Sequence, residues 1–420
     1  MINLLVKKVI VIDPSSKWNG KKVDLLIKNG KIEEIAKNIS SKYKTIEGDN
    51  LHVSAGWFDF NTNFRDPGYE YKEDVSSGLA AAAKGGFAMV CVSPDTNPPI
   101  DDKSGVEYLK NKSLSSVCSL SVMGALSKGL LGKDMAEMYD MKNSGAVLFG
   151  DGNRYLQNAG LMCKALQYAG GFGATIVNTP LDSNIAGTAE INEGLQSTIM
   201  GLKGIPNIAE TIALARDISL LEYSNGSLHV ANVTTAEGVD LIRKAKKKGL
   251  SITAGVGIVH LVKNDSALDG YKVNYKITPP LRSEKDRRGL IKGVLDGTID
   301  IISSDHQPQD VEAKKVEFGY AEYGMIGTET FYGLYGKYLQ KHIPLETFVK
   351  TITTNPYKII KKEGGSIVEN ETASLTFFTP DQEWIFTEKS IVSKSKNSPF
   401  IEEILVGKVM GIVNENKTTL

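Results

Sequence analysis

The stretch with the clearest chemical content is the end of an apolar strand near residue 60, where polar side chains recur at every second position. Asp59, Asn61 and Asn63 alternate with Phe60 and Thr62, and alternation along a strand turns residues 61 and 63 to the same face. Two histidines in this arrangement would bind one metal ion. Two carboxamides are neutral oxygen ligands, better suited to calcium than to zinc. The stretch therefore has the frame of a metal site without its usual ligands.

An ordered series of short motifs resembles the dihydroorotases, the cyclic amidohydrolases of pyrimidine synthesis. The segment Asp59–Gly68 is similar to their Asp-x-His-x-His-x-Arg-x-Pro-Gly motif, with asparagine at both histidine positions. The segment Glu73–Phe87 then matches their Glu-Asp-x-x-Ser-Gly and Ala-Ala-x-x-Gly-Gly-Phe runs. Further segments follow in the family's order: Pro279–Ser283, Ser304–Gln309, Gly327–Thr330 and Ser393–Phe400. One such segment would be a weak signal, whereas the ordered set indicates membership of the family.

The resemblance also assigns the remaining metal positions. The histidines at the ends of strands five and six correspond to Asn178 and Asn232, so all four histidine ligands are asparagine here. In the subgroup that this chain resembles, strand four ends in Asp-Asp-Gly, and here Gly150–Gly152 keeps one acid, Asp151, which could be either member of the pair. We therefore predict no zinc and no other cofactor, although the family uses zinc. The degenerate ligand positions are Asn61, Asn63, Asp151, Asn178 and Asn232.

The substrate-binding positions have changed as well. The resemblance implies that an Arg, an Asn and a His hold the substrate carboxylate, and these correspond to Arg65, Asp95 and Gln309. An aspartate beside a bound anion adds like-charge repulsion, so recognition of dihydroorotate should suffer. Asp305 matches the family's general acid/base and is followed by His306. We expect Asp305 to be a vestigial catalytic residue.

The loss of the metal would remove most of the activation of water that hydrolysis needs. Zinc lowers the pKa of bound water from about 15.7 to about 7, which is on the order of 12 kcal/mol towards forming hydroxide at neutral pH. A carboxylate such as Asp305 does not supply this alone. With the histidines present, a metal-bridged hydroxide would attack the ring amide while Asp305 moved the proton.

Each residue also has a purely structural interpretation. The four asparagines could be strand-end residues in a hydrogen-bonded network, which we favour over a ligand role. Arg65 could be a buried ion-pair partner of a barrel carboxylate, and Asp305 and His306 could be kept for packing and strand-end hydrogen bonds.

Composition indicates a large globular protein. Its 420 residues are 41% hydrophobic, with 49 basic and 49 acidic residues, so no overall charge favours nucleic acid or a membrane surface. The amino terminus lacks a signal-peptide pattern and no apolar run approaches about 18 residues, so we expect a cytoplasmic protein. The three cysteines are widely spaced in apolar contexts and predict reduced core thiols.

Alternating strand and helix patterns predict an α/β fold, a TIM-like (β/α)8 amidohydrolase barrel over residues 54–364. Residues 1–53 and 365–420 carry short strands, and we expect them to pack as one small β-sandwich domain. Asn29-Gly30 between two apolar runs predicts a hairpin. The eight predicted barrel strands are Trp57–Asn63, Ala88–Ser93, Val117–Met123, Ala146–Phe149, Ala174–Asn178, Ser227–Val233, Ser251–Val256 and Ile299–Ser304. At the carboxyl end we expect strands Ala373–Phe378, Trp384–Thr387 and Ile404–Met410.

Three functions follow from these observations. The first, which we favour, is a non-catalytic dihydroorotase-like protein of pyrimidine biosynthesis with a structural or regulatory role. The resemblance then implies aspartate transcarbamoylase or an intact dihydroorotase paralogue as a partner, and we also expect a homo-oligomer. The second is a working dihydroorotase, or a related cyclic amidohydrolase, with an atypical site. The third is a small-molecule binding protein that reuses the pocket.

Overall fold

The structure is a computed structural model that describes all residues from Met1 to Leu420. The strands, numbered along the chain, are Asn3–Val11 (β1), Lys22–Lys28 (β2), Lys31–Ala36 (β3), Lys44–Glu47 (β4), His52–Ala55 (β5), Trp57–Thr62 (β6), Phe87–Val92 (β7), Ser119–Gly124 (β8), Ala146–Phe149 (β9), Ile176–Asn178 (β10), Ile191–Asn192 (β11), Gly204–Ile205 (β12), Leu228–Val230 (β13), Ile252–Gly257 (β14), Ile301–Ser303 (β15), Ser374–Phe386 (β16), Glu403–Asn414 (β17) and Lys417–Thr418 (β18).

Fourteen α-helices accompany these strands. The α-helices are Val75–Lys84 (α1), Lys103–Ser113 (α2), Met138–Ser144 (α3), Ala159–Gly171 (α4), Ser183–Ala186 (α5), Leu195–Met200 (α6), Asn207–Ser224 (α7), Ala236–Lys247 (α8), Ile258–Val262 (α9), Glu284–Leu295 (α10), Val311–Lys314 (α11), Phe331–Leu334 (α12), Leu345–Ile352 (α13) and Thr354–Ile359 (α14).

Eight parallel strands form the barrel, in the order β6, β7, β8, β9, β10, β13, β14 and β15. The barrel closes between its first and last strands, where Thr62 forms a parallel bridge with His306 and the Asn63 N–H donates to the His306 carbonyl at 2.9 Å. The predicted (β/α)8 barrel is therefore confirmed. Its interior is filled by alternating strand residues such as Phe58 and Phe60, which pack with Met123, Leu148 and other buried side chains.

Local sequence signals explain why the barrel helices start where they do. The Thr235 hydroxyl accepts the Gly238 N–H at the start of α8, and Ser283 accepts the Asp286 N–H at the start of α10. Such caps satisfy the free N–H groups of a first turn. The apolar face of each helix then packs on the sheet. The barrel and its helices share one core cluster of 68 buried residues, which holds the strand ends rigidly in place.

Both chain ends build the small β domain, as predicted. Strands β1 to β5 and β16 to β18 form one hydrogen-bonded sheet, and 17 buried apolar residues from both ends form its core. The predicted strands at 373–378 and 384–387 are a single long strand, β16, because its pairing with β17 continues past a register shift between Thr379 and Glu383. The sheet extends to Ala55, and the first barrel strand begins two residues later.

The three cysteines lie in or near the core. All three thiols are free; Cys91 and Cys118 are buried and Cys163 is partly buried. None of the helices combines the length and the apolar character that crossing a membrane requires.

Candidate functional site

The centre of the candidate site is the carboxyl group of Asp305, at the carboxyl ends of the barrel strands. Asp305 follows β15 with a left-handed φ of 51° and is buried. Asn61 Nδ2 and Gln307 Nε2 donate to its Oδ1 at 3.0 and 3.1 Å. Asn232 Nδ2 donates to its Oδ2 at 3.3 Å. Three carboxamides from different parts of the barrel therefore converge on one carboxyl group.

The orientation of the Asn232 carboxamide is fixed from its far side. Its Oδ1 accepts a hydrogen bond from the Gly257 N–H at 3.0 Å, and only the oxygen end of an amide accepts such a bond. The Nδ2 group must therefore face Asp305. The segment after β13 thus presents an NH₂ donor to the centre of the site. A metal ion there would need an atom with a free lone pair instead.

Asn63 serves a different partner from Asn61. Its Oδ1 accepts the Arg65 N–H at 2.8 Å, and its Nδ2 donates to the Asp95 carbonyl at 3.4 Å. The first bond is the local turn that asparagine forms with the backbone two residues on, and it supports the left-handed φ of 59° at Arg65. Asn63 therefore shapes the loop that carries Arg65.

Asn178 and Asp151 also form hydrogen bonds with residues away from Asp305. Asn178 Nδ2 donates to Asp217 Oδ2 at 2.6 Å, and Asp217 is paired with Arg216 at 2.7 Å. Asp151 Oδ1 accepts the N–H groups of Leu126 and Ser127 at 2.9 and 2.8 Å, and its Oδ2 accepts the Ser127 hydroxyl at 2.5 Å. Asp151 therefore pins the loop after β8. All five degenerate positions belong to hydrogen-bonded networks, which agrees with their structural interpretation.

The donor set does not fit the two-zinc centre that the family implies. Zinc sites are built from thiolate, imidazole and carboxylate ligands, and no group of three or more His, Cys, Asp or Glu side chains in the chain is arranged to hold a metal ion. The amide nitrogens of Asn61 and Asn232 point at Asp305, so the centre is filled with N–H donors. A cation there would meet those donors before it met the carboxylate.

Two buried acids lie close together at the centre. Burial raises the pKa of Asp305 to about 7, opposed by the hydrogen bond from Gln307 and reinforced by Asp59 and Asp95. Burial also raises the pKa of Asp59 to about 6, against its hydrogen bonds with Ser304. Desolvation disfavours the charged form of a carboxyl group. Burial therefore favours the neutral form of Asp305.

A cavity of about 400 Å³ opens beside this centre, at the mouth of the barrel. Arg65 lies in its wall, 13% exposed; its Nε donates to the Pro308 carbonyl at 3.2 Å, and its Nη1 lies 3.9 Å from Asp95 Oδ2. Burial lowers the pKa of Arg65, opposed by Asp95. The remaining lining is mixed in charge and includes Tyr69, Lys72, Arg154, Gln307, Gln309, Glu322 and Tyr323. Such a cavity has the size and polarity of a small-molecule site.

Gln309 is a supporting residue of the cavity wall. Its Oε1 accepts from Lys72 Nζ at 2.7 Å and its Nε2 donates to the Tyr323 carbonyl at 2.7 Å. Because both ends of the amide are engaged, Gln309 positions Lys72. Asp95 accepts a hydrogen bond from the Ser93 hydroxyl, and burial raises its pKa, opposed chiefly by Arg65. The structure therefore brings Arg65, Asp95 and Gln309 to one cavity, beside Asp305.

His306 lies behind the centre, in a second network that we call the rim network: Glu73, Ser77, His306, Ser393 and Lys394. Glu73 accepts from the hydroxyls of Ser77 and Ser393 and from the Lys394 N–H at 3.2 Å. Its Oε2 lies 3.6 Å from His306 Nε2, while His306 Nδ1 accepts the Gly327 N–H at 3.2 Å. Together with Gly327, the network joins four of the sequence motifs.

Several site residues carried no signal in the sequence. Gln307 donates to Asp305 at 3.1 Å, although nothing in its motif marked it as a contact of that acid. Lys72, Arg154 and Glu322 come from loops without periodicity. Only folding brings these loops to one cavity. His229 and His260 are buried and bond to Thr253 Oγ1 and the Pro279 carbonyl, respectively.

Comparison with known proteins places these observations in a family. The profile of the Dihydro-orotase-like family matches residues 52–238. The dihydroorotase of Ruminiclostridium cellulolyticum is 40% identical over 411 residues, covering 97% of this chain and 96% of that protein. The chain belongs to the dihydroorotase family. The dihydroorotase of Trichlorobacter lovleyi is similar over the same extent, 37% identical over 410 residues with 97% and 96% coverage.

Solved structures show the same fold beyond this family. The L-hydantoinase (dihydropyrimidinase) from Arthrobacter aurescens superposes with a TM-score of 0.86 at 21% identity, covering 100% of this chain and 96% of its own. A D-hydantoinase gives a TM-score of 0.85 with 100% and 95% coverage. The fold of this chain is therefore also the fold of these two hydantoinases.

Proposed function

We propose that this dihydroorotase-family chain belongs to pyrimidine biosynthesis but neither opens nor closes the dihydroorotate ring. The observation that carries the proposal is the set of three carboxamides converging on Asp305. Hydrolysis of a ring amide needs an activated water, and a single buried carboxyl group such as Asp305 is a weak substitute for a metal ion that supplies about 12 kcal/mol.

The folded barrel then acts through contacts with other molecules. We propose a structural or regulatory role with aspartate transcarbamoylase, or with an intact dihydroorotase paralogue, as the partner. The intact barrel and the hydrogen-bonded rim network support this role, because they keep the family's outer form while the centre has changed. Co-purification from the native cell, with the chain tagged at its natural level, should recover a stoichiometric partner. A chain recovered alone, whose deletion leaves pyrimidine requirements unchanged, would exclude this role.

The absence of catalysis has a direct test. Purified protein should hold well under one zinc per chain by elemental analysis after equilibration with zinc. It should show no turnover of carbamoyl aspartate or dihydroorotate above background with added zinc, cobalt or manganese. The Ruminiclostridium cellulolyticum relative, prepared identically, is the matched control. Two tightly held ions, or metal-dependent turnover that Asp305→Ala abolishes, would establish the alternative of a working dihydroorotase with an atypical site.

A second candidate function rests on the cavity itself. The terminal nitrogens of Arg65 face a cavity of about 400 Å³ and form no hydrogen bond with the protein. A small anion that pairs with this guanidinium would be held as a regulatory ligand. Thermal-shift screening of pyrimidine precursors would detect it, since a ligand at 100 times its Kd stabilises by about 2.7 kcal/mol. Stabilisation that persists in Arg65→Ala would locate the ligand elsewhere.

A further inference from the structure

A second cavity, of about 490 Å³, lies between the end of α9, the first turn of α10 and the segment before α13. We call it the α9–α10 cavity. It shares no lining residue with the first cavity. Its wall carries Lys263, Lys272, Arg287 and His342, and Glu284 is its single acidic residue. The side chains around this cavity therefore have an excess of positive charge, whereas those around the first cavity are mixed.

Lys263 is a half-buried cation without a carboxylate partner. The only hydrogen bond of its Nζ goes to the Tyr338 hydroxyl, at 2.9 Å. The same Nζ lies 4.4 Å from the ring centre of Tyr338 and 5.6 Å from that of Phe400. The Tyr338 hydroxyl donates in turn to Glu403, which is paired with Lys337 at 2.5 Å. The acid behind Tyr338 is therefore already balanced by another lysine.

A second lysine adds to this unbalanced charge. Lys272 lines the same cavity, is exposed, and its ammonium group forms no hydrogen bond or salt bridge with the protein. Burial lowers the pKa of Lys263; Glu403 opposes this effect, and the charges of Lys337 and Lys272 reinforce it. Like charges that face one cavity destabilise each other, and an anion between them relieves the repulsion.

The acid in the wall does not supply that anion. Glu284 accepts from Arg287 Nε at 2.6 Å, from Arg288 Nε at 2.9 Å and from Asn264 Nδ2 at 3.0 Å. These bonds, chiefly the one from Arg287, lower the pKa of Glu284 to about 2. Two guanidinium groups thus balance one carboxylate, which leaves this wall positive too. His342 is exposed beside it, with no hydrogen bond to its ring.

We propose that the α9–α10 cavity binds a di- or triphosphate group. Lys263 and Lys272 donate to the phosphate oxygens in charge-assisted hydrogen bonds, which are stronger than neutral ones. Two or three linked phosphates carry several negative charges, enough to match both ammonium groups and the surplus guanidinium charge. A single carboxylate would leave most of that charge unbalanced. The cavity has the volume of a small-molecule site, and Tyr275 in its wall offers a ring on which a nucleoside base would stack.

Titration calorimetry on the full chain with inorganic tripolyphosphate, in low salt without magnesium, tests the proposal. One tripolyphosphate should bind per chain, more weakly as salt is added. Lys263→Met keeps the apolar stem over Tyr338 and removes the charge, so it should stay folded and raise the Kd about 10-fold or more. Lys272→Ala, at an exposed position, should raise the Kd by a similar factor.

Two control variants make the location specific. Lys164→Ala removes an exposed lysine from α4 and should leave the Kd unchanged. Arg65→Ala should leave it unchanged as well, because Arg65 lines the first cavity only. The two cavities share no residue, so the outcome is independent of whether the chain opens or closes the dihydroorotate ring. Circular dichroism verifies that each variant is folded.

Adenosine and uridine triphosphates distinguish the source of the phosphate chain. A nucleotide that binds more tightly than tripolyphosphate, with the gain lost in Tyr275→Leu, identifies a nucleotide site. Equal affinities identify a site for the phosphate chain alone. Absence of binding at millimolar tripolyphosphate overturns the proposal. So does binding that Lys263→Met and Lys272→Ala leave intact, or binding that Arg65→Ala abolishes.

Discussion

Two hydrogen-bonded networks lie at the barrel mouth, the rim network and the centre around Asp305, and they differ in how many of the family's motif residues they contain. The rim network around Glu73 retains the family's motif residues, and its carboxylate is met by two serine hydroxyls and a backbone N–H. The centre around Asp305 has an acid together with Asn61 and Asn232, two positions where the resemblance predicts histidines. Both networks are hydrogen bonded around a buried carboxyl group. The comparison teaches that motif residues which hold loops together can persist after the residues that perform chemistry have been exchanged.

The two carboxyl groups also respond to pH in opposite directions. Burial would raise the pKa of Glu73, but hydrogen bonds and charge from His306, together with Ser393 and Ser77, lower it below its ordinary value. Glu73 therefore stabilises the fold above its unfolded pKa, and this contribution is lost as the pH falls. The raised pKa of Asp305 has the opposite consequence, since its favoured neutral form is lost as the pH rises through about 7.

The largest expected loss of stability follows from a change in the rim network. Glu73→Ala should lower the free energy of unfolding by about 3 to 5 kcal/mol, because it leaves buried donors from three segments without an acceptor. Urea unfolding at pH 7 measures this. Glu137→Ala, a carboxylate that is 65% exposed, should stay within about 0.5 kcal/mol of wild type. A similar small change for Glu73→Ala would mean that the rim network does not hold the loops.

At the centre, Asp305→Asn should change the pH dependence of stability. Wild type should gain stability relative to the variant as the pH falls from 8 towards 4, by on the order of 3 to 4 kcal/mol at most, because only wild type takes up a proton when folded. Unfolding curves at several pH values in this range measure the difference. A difference that stays constant across this range would contradict a raised pKa at Asp305.

A smaller effect is expected for one of the asparagines. Asn232→Ala should cost about 1 to 3 kcal/mol, because it leaves the buried Gly257 N–H without its acceptor and removes a donor to Asp305. Asn61→Ala removes only a donor and should cost less. Urea unfolding of the two variants measures the difference in their free energies of unfolding. Equal losses of stability in Asn232→Ala and Asn61→Ala would argue against the fixed orientation of the Asn232 amide.

The smallest stability effect is expected at the cavity. Arg65→Ala should change the free energy of unfolding by under about 1.5 kcal/mol, because its single hydrogen bond is to a carbonyl and its ion pair is long. It should nevertheless remove any stabilisation by carboxylate ligands. Arg288→Ala, at a remote side chain that is 76% exposed, is the control and should keep that stabilisation. A large loss of stability in Arg65→Ala would favour its interpretation as a buried ion-pair partner.

Strand periodicity and short motifs are local properties, so the sequence alone predicted the eight barrel strands and the family. The family resemblance also predicts that asparagine stands at the four metal-histidine positions. What those asparagines do was decided only by tertiary structure. Asn61 and Asn232 meet Asp305, whereas Asn63 supports a turn and Asn178 turns to Asp217.

The cavity was likewise decided by the fold. Lys72, Arg154 and Glu322 come from separate loops, and their spacing in the sequence does not predict that they line one cavity. Helix α7 is apolar on two faces, and sequence periodicity does not tell which face packs on the barrel. The burial of a side chain and the pairing of its charge depend on contacts between residues far apart in the chain. The local sequence pattern therefore predicts where helices and strands form, whereas tertiary packing decides which side chains they contact.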